Sequence, residues 1–306
     1  MHSTVQADGP RRPSQILRRA GRSLAILGFA VTVLAANVYQ AFFGLLLLLQ
    51  SHMIFVPLEH LGHTPADFDA TFEDLSVPTP DGETLHGWYV HTSQVEKPRG
   101  TILYCHGNAG NIGHRASMLP ELLSHGYDVV MFDYRGFGHS SGSPSEQGIY
   151  RDLHAMWGHL THERAIDPHS IVLWGRSLGG AMAVYLATEV AATEGAEAPR
   201  ALILEATFTS IPDTAANRYW MYPVRLIART QLASIDRVGA IKIPLLHAHS
   251  HEDGLVPYAQ GRALYAASGS RDKTFVDLHG PHNIAKLSET RYHERVAEFF
   301  GSLPTP

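Results

Sequence analysis

Apolar positions fall into two regimes along this chain. Near the N-terminus they form one block: Leu24 to Leu49 is apolar apart from Thr32, Asn37, Gln40 and small or aromatic residues, and no Asp, Glu, Lys or Arg occurs from Ser23 to Leu58. A helix needs roughly 20 such residues to cross the hydrocarbon core of a bilayer, so the block is long enough to span it with some tilt. From about residue 72 onward the apolar positions come in short runs, separated by turn residues and by stretches of helical spacing. Phe72–Val77 and Thr84–His91 flank the turn Pro80-Asp81-Gly82 and read as a hairpin. Thr101–Cys105, Tyr127–Phe132, Ile171–Trp174, Ala201–Ala206, Pro244–Ala248 and Thr274–Leu278 read as further strands. Helices are expected at Ala116–Ser124, ended by Gly126, and from Ser145 to about Thr161, with Ile149, Leu153, Met156, Trp157 and Leu160 on one face. Three more are expected at Leu178–Ala191, Pro257–Ala267 and Ser288–Phe300. Alternation of this kind predicts an α/β fold: a mostly parallel central sheet flanked by helices, preceded by an N-terminal transmembrane helix. Ligands of such sheets bind at the carboxyl ends of the strands, so the chemistry should lie just after strands.

Charge orients the apolar block. Residues 1–22 carry Arg11, Arg12, Arg18, Arg19 and Arg22, with Asp8 as the only acid. Clustered arginines keep their end of a span in the cytoplasm. The expected order is a basic cytoplasmic N-terminus (1–23), a transmembrane anchor (24–49), a connector (50–71) and a catalytic domain (72–306) on the periplasmic or lumenal side. A cleaved signal peptide or an interfacial helix is the alternative; a signal peptide ordinarily has a shorter apolar core, and Ala35-Ala36 is a poor cleavage site inside the run. With 306 residues, 44% hydrophobic and 17% charged, the remainder can bury a large core. A net charge of −5 lacks the basic footprint of a nucleic-acid binder. The one cysteine, Cys105, excludes an intrachain disulfide and a cysteine-based metal site.

The sharpest local signal is Gly175-Arg176-Ser177-Leu178-Gly179, set between the apolar run Ile171–Trp174 and the Ala-rich stretch that starts at Gly180. A strand, a sharp turn and a helix with serine at the apex form a nucleophile elbow, which holds the hydroxyl in the open beside helix amides. A free serine hydroxyl is a weak nucleophile, so it needs a base and a group to orient that base. His282 follows the strand Thr274–Leu278 and Asp253 follows Pro244–Ala248, giving a candidate triad Ser177, Asp253, His282. Glu252 and Asp236 are rival acids and His279 a rival base. The loop after Thr101–Cys105, His106-Gly107-Asn108-Ala109-Gly110-Asn111, offers the Asn108 amide as an oxyanion donor, paired with the amide of Leu178. His106 reads as a hydrogen bonder that holds this loop, and Asp133 with Arg135 as a salt-bridged turn. His247, His249 and His251 alternate and, on one strand face, could bind zinc instead. Residues 208–236 are either a helix on the sheet edge or a short cap whose Tyr219, Trp220 and Met221 touch an acyl chain.

Taken together, these motifs resemble an α/β-hydrolase of the serine esterase and thioesterase kind, and are similar to the membrane-anchored abhydrolase-domain proteins and their bacterial relatives. The resemblance covers about residues 50–303. It rests on His106–Asn111, on Asp133-Tyr134-Arg135-Gly136-Phe137-Gly138-His139-Ser140-Ser141-Gly142, on Gly175–Gly180, on Asp253-Gly254-Leu255-Val256-Pro257 and on His282-Asn283. It implies a Ser-His-Asp hydrolase without a cofactor, acting on small acyl esters or thioesters, lipid-like ones included. Two positions depart from the family pattern: His249-Ser250 stands where relatives read His-Gly, and Gly280-Pro281-His282 where they read Gly-Gly-His. A serine peptidase of the prolyl-oligopeptidase type, or a silent binding protein on the same scaffold, is the alternative reading.

Overall fold

The computed structural model describes residues 13–192, 198–283 and 290–304, with side chains from residue 17. The chain divides between Leu49 and Gln50 into two units. The first is built on helix α1 (Pro13–Ile54), whose last turn belongs to the second unit. From Leu17 the helix is long and apolar enough to cross a membrane, with a mean hydropathy of 1.8 in its most apolar window. Its polar side chains turn inward to their own backbone: Thr32 Oγ1 donates to Gly28 O (2.9 Å) and Asn37 Nδ2 to Val33 O (2.8 Å). Satisfying polar groups within the helix is what a hydrocarbon environment demands. Of the basic cluster, Arg11 and Arg12 lie outside the described residues.

The second unit is built on an eight-stranded sheet. Its strands are β1 (Phe72–Pro78), β2 (Thr84–Val90), β3 (Thr101–Cys105), β4 (Asp128–Phe132), β5 (Ile171–Arg176), β6 (Ala201–Glu205), β7 (Leu245–Ser250) and β8 (Lys273–Leu278). They lie in the order β1-β2-β4-β3-β5-β6-β7-β8. The β1–β2 hairpin and the β2–β4 pair are antiparallel, and every later pairing is parallel. Period-two alternation sends successive side chains to opposite faces. On one face Leu103, Cys105, Val130, Phe132, Leu173 and Leu204 meet Ile149, Leu153 and Met156 of α2 (Glu146–Gly158) and Ala181, Met182 and Leu186 of α3 (Leu178–Ala192). On the other, Ile102, Tyr104, Val129, Met131, Val172 and Trp174 meet Tyr292, Val296 and Phe300 of α5 (Thr290–Ser302). A fifth helix, α4 (Tyr258–Ala267), follows β7.

Two helices differ from expectation. The stretch at Ala116–Ser124 splits into a 3-10 turn (Ile112–Met118) and a short α-helix (Leu119–Leu123). Pro120 has no N–H to donate to the Ala116 carbonyl, so an α-helix cannot run through it unbroken. The helix after Ser145 keeps α geometry only to Gly158 and widens into a π turn over His159–Glu163. The expected start of the last helix at Ser288 lies outside the described residues.

Arg135 is ion-paired, though not with Asp133. Its guanidinium Nη2 lies 2.8 Å from Asp152 Oδ1, and its Nη1 lies 2.8 Å from Asp81 Oδ2 in the β1–β2 turn. Its backbone N–H donates to Asp152 Oδ2 (2.9 Å). Asp152 is wholly buried and therefore compensates both a buried cation and a buried amide. Breaking such a buried pair leaves an uncompensated charge. Asp152→Ala is expected to cost about 3–5 kcal/mol of unfolding free energy. Asp152→Asn, which keeps an acceptor for the amide, should cost less. Urea denaturation checks this, and a loss below about 1 kcal/mol would show the network to be no stronger than a surface pair.

Candidate active site

The elbow forms because its glycines leave no room for anything else. A Cβ on Gly179 would sit 1.9 Å from the Cys105 carbonyl on β3, and one on Gly175 would sit 2.3 Å from the Gly179 carbonyl. The strand and helix can therefore approach closely, and the turn between them drives Ser177 to φ 53°, a left-handed conformation costly for a non-glycine residue. The Ser177 amide is fixed by the Glu205 carbonyl on β6 (2.7 Å).

Ser177 Oγ lies 3.1 Å from His282 Nε2, and His282 Nδ1 lies 2.6 Å from Asp253 Oδ2. The structure thus brings together the three residues singled out in the sequence, from the ends of β5, β7 and β8. Asp253 Oδ1 accepts the amides of Leu255 (2.9 Å) and Val256 (2.8 Å). Burial opposes ionisation of Asp253, but hydrogen bonds from His249 and His282 and the Val256 amide outweigh it and hold the carboxyl well below the usual carboxylate range. The rivals pair with each other instead: His279 Nδ1 lies 3.2 Å from Glu252 Oε1, and Glu252 Oε2 accepts the Gly280 amide (2.6 Å). Asp236 is exposed on the short helix Ser234–Arg237. Ser250, one of the two departures from the family pattern, donates to the Gly280 carbonyl (2.5 Å). Glu252 and Ser250 together tie the loop bearing the acid to the loop bearing the base.

Leu178 follows Ser177 in the chain and begins α3, and Asn108 lines the same cleft as Ser177. His106 is fully buried behind the Asn108 loop, donating from Nδ1 to the Gly107 carbonyl (2.8 Å) and stacking on Tyr134 at 4.4 Å. Burial takes this ring down to about 3 and the neighbouring Asp133 up to about 7. The alternating histidines do not converge. His249 Nε2 donates to the Val256 carbonyl (2.9 Å), His251 Nε2 faces Asp277 (3.2 Å), and among the described residues no three His, Cys, Asp or Glu side chains are placed to share a metal ion.

Arg176 and Arg115 carried no signal in the sequence. Arg176 Nη2 donates to the His282 carbonyl (2.8 Å), and its Nε lies 3.6 Å from the buried Glu205, which also accepts from Trp174 Nε1 (2.8 Å) and the Tyr292 hydroxyl. Arg176 therefore braces the histidine loop from beneath. Leu58, Gly107, Asn108, Ala109, Gly110, His114, Arg115, Arg176, Ser177, Leu255, His282 and Asn283 line a cleft of about 480 Å³. Tyr219, Trp220 and Met221 are not among them. Trp220 and Met221 are 77% and 56% exposed, because the segment over 219–227 breaks into a turn and a four-residue helix that leaves these side chains outside the cleft.

Buried histidines make stability pH-dependent. Burial holds His106 and His247 at about 3 and His125 at about 4. The unfolded chain takes up these protons below about pH 6.5 while the folded protein does not, so their contribution is complete above that pH and is lost on acidification. Asp133 has the opposite sign, stabilising below the ordinary carboxyl pKa and losing that contribution as pH rises through about 7. Burial also lowers His86 and His114 and raises Asp152, so the lowered rings outnumber the raised carboxyls and the urea midpoint should fall from pH 7.5 to pH 5. Both ring nitrogens of His247 are buried without a hydrogen-bond partner among the described residues. His247→Leu should raise stability by about 1 kcal/mol at neutral pH and flatten the acid slope. An unchanged slope would assign the acid sensitivity to other groups.

Comparison with known proteins places the chain. Residues 96–234 match the Hydrolase_4 family, described as serine aminopeptidase, S33. The chain is 34% identical to the alpha/beta hydrolase domain-containing protein WAV2 of Arabidopsis thaliana, over 80% of this chain and 85% of that protein. It is 35% identical to Protein bem46 of Schizosaccharomyces pombe, over 77% of this chain and 79% of that one. Among solved structures, the Pyrococcus furiosus esterase Pf2001 superposes with a TM-score of 0.66 at 21% identity, covering 82% of this chain and 97% of that one, a likeness of fold.

Proposed function

We propose a membrane-anchored serine hydrolase of carboxylic esters or thioesters, from the premise that the chain belongs to the α/β-hydrolase family. One observation carries the reading: Ser177, His282 and Asp253 stand in hydrogen-bonded series at 3.1 and 2.6 Å on the ends of three different strands. His282 Nε2 accepts the Ser177 proton as Oγ attacks the acyl carbonyl. The carbonyl oxygen becomes an oxyanion held by the Asn108 and Leu178 amides. His282 returns the proton to the leaving alkoxide or thiolate, then activates water to release the acyl group. Asp253 keeps the imidazole in the required tautomer and stabilises its charged form.

The family description favours one other reading, an aminopeptidase. Recognition of a peptide N-terminus requires a carboxylate to receive an ammonium group. Among the described residues the cleft presents Arg115, Arg176 and His114 and no Asp or Glu, which supports an ester substrate. Helix α1 acts as the anchor, with Arg18, Arg19 and Arg22 on the cytoplasmic side and residues 50–306 on the other. Gln50, the first residue of the catalytic unit, donates to Ile227 O (3.0 Å) and accepts from the Arg229 amide (2.8 Å). The nearby segment exposes Trp220, Met221 and Leu226, a surface suited to lipid-like acyl substrates.

The full chain, expressed in a bacterium, should stay in the membrane pellet after alkaline carbonate extraction. Protease added to spheroplasts should digest the catalytic unit. The purified protein should cleave 4-nitrophenyl acyl esters faster than aminoacyl 4-nitroanilides. Release by carbonate would sink the anchor, and faster anilide cleavage would sink the esterase.

A further inference from the structure

We propose that the catalytic cleft selects esters bearing an anionic oxygen group, a phosphate or a carboxylate, and that Arg115 receives that group; this rests on the esterase reading above. Among the described residues the cleft's charged lining is one-sided, with two arginines and no acid. The two arginines are not equivalent. Arg176 is compensated by Glu205 and committed to the His282 carbonyl. Arg115 donates from Nη2 to the Ala109 carbonyl (2.6 Å), its Nε is buried without an acceptor, and among the described residues no carboxylate lies within ion-pairing distance of it. The nearby Asp133 is no full counter-charge, since burial raises its carboxyl to about 7. Burial, with the Arg176 charge adding to it, also lowers the Arg115 guanidinium below its ordinary value, a direction that marks a cation in a poorly compensated place.

A half-buried guanidinium without a carboxylate is costly, and an arriving anion offsets that cost. The planar fork of arginine matches phosphate and carboxylate oxygens in particular. Its tether fixes where the anion sits. Ala109 is the residue after Asn108, so the guanidinium is held beside the loop that supplies the oxyanion donor, close to the scissile ester. The same structure makes a neutral, purely aliphatic ester a poorer partner.

Two matched ester pairs test this on the full chain in non-ionic detergent. One pair is a 1-monoacylglycerol and the same compound carrying a 3-phosphate. The other is 4-nitrophenyl butyrate and 4-nitrophenyl hemisuccinate, nearly equal in size. The anionic member of at least one pair should have a tenfold or greater advantage in kcat/KM. The first pair identifies a phosphate on the alcohol side and the second a carboxylate on the acyl side. Arg115→Gln should reduce that ratio tenfold or more, and Arg115→Lys should retain part of it. Equal or faster cleavage of the neutral member in both pairs, or a ratio unmoved in Arg115→Gln, overturns the inference. If Arg115→Gln does not fold, the intact enzyme still decides. Competitive inhibition by hexyl phosphate at concentrations where hexanol has no effect supports the site, and equal potency of the two removes it. Neutral-ester cleavage that is abolished in Ser177→Ala but shows no anionic preference sinks this inference alone. Ester cleavage that persists in Ser177→Ala sinks the esterase reading beneath it.

Discussion

Ser177→Ala is expected to lower kcat for ester hydrolysis by about 10⁴- to 10⁶-fold, and to abolish labelling by a fluorophosphonate probe. The substitution removes one oxygen and nothing else that the fold uses. Ser177 already sits at φ 53°, and alanine meets the same left-handed strain there without a new clash. Its amide stays bonded to the Glu205 carbonyl and its own carbonyl still accepts from Gly180 (3.0 Å), so the elbow keeps its backbone contacts. The oxyanion donors and the cleft remain, which is why residual activity above the uncatalysed rate should survive. His282→Ala should match this loss, because members of a catalytic unit are not additive. Thermal unfolding within a few degrees of the intact chain would separate lost chemistry from lost structure. Labelling that persists in a folded Ser177→Ala protein, or a fall in kcat of less than tenfold, would remove Ser177 from the mechanism.

The elbow was legible in the sequence because its determinants are local. Gly175, Ser177 and Gly179 are two residues apart, and each collision that enforces the turn can be anticipated from a strand entering a helix at close range. The strands were legible because alternating or continuous apolar runs repeat over five or six residues. What stayed hidden is nonlocal. Arg135 finds Asp81, 54 residues away, in preference to Asp133, which is buried against the His106 ring. Arg176 finds the His282 carbonyl across 106 residues. No periodicity announces such pairings, since they depend on which strand ends the topology makes neighbours. The cap residues illustrate the converse. The aromatic density around Tyr219 suggested a pocket wall, but composition does not set direction, and Trp220 and Met221 stand outside the cleft. Ser250, a departure from the family pattern, has a role the sequence did not announce: its hydroxyl ties the acid loop to Gly280 in the histidine loop.

Asp253→Asn should be the second most damaging change, lowering kcat/KM by about 10³- to 10⁴-fold, about 4–5.5 kcal/mol of transition-state stabilisation. The asparagine oxygen can keep the amides of Leu255 and Val256, which turns the side-chain NH₂ toward His282 Nδ1. A donor at that position forces the imidazole to carry its proton on Nε2, and a protonated Nε2 cannot accept from Ser177. The loss is therefore one of tautomer rather than of fold. Ionisation supports the same assignment. The hydrogen bonds that outweigh burial keep Asp253 charged well below the usual carboxylate range, so its contribution to stability is present above the ordinary Asp pKa and lost only as pH falls through the lower folded value. Glu252→Gln is the matched control. Its Oε2 receives the Gly280 amide and its Oε1 faces His279, contacts that an amide oxygen can partly replace on an exposed loop. It should cost less than tenfold in kcat/KM. If the two effects came out in the reverse order, with Glu252→Gln nearly inactive and Asp253→Asn nearly intact, the orienting acid would be Glu252. The short Asp253–His282 contact would then have only a structural role in holding the loop.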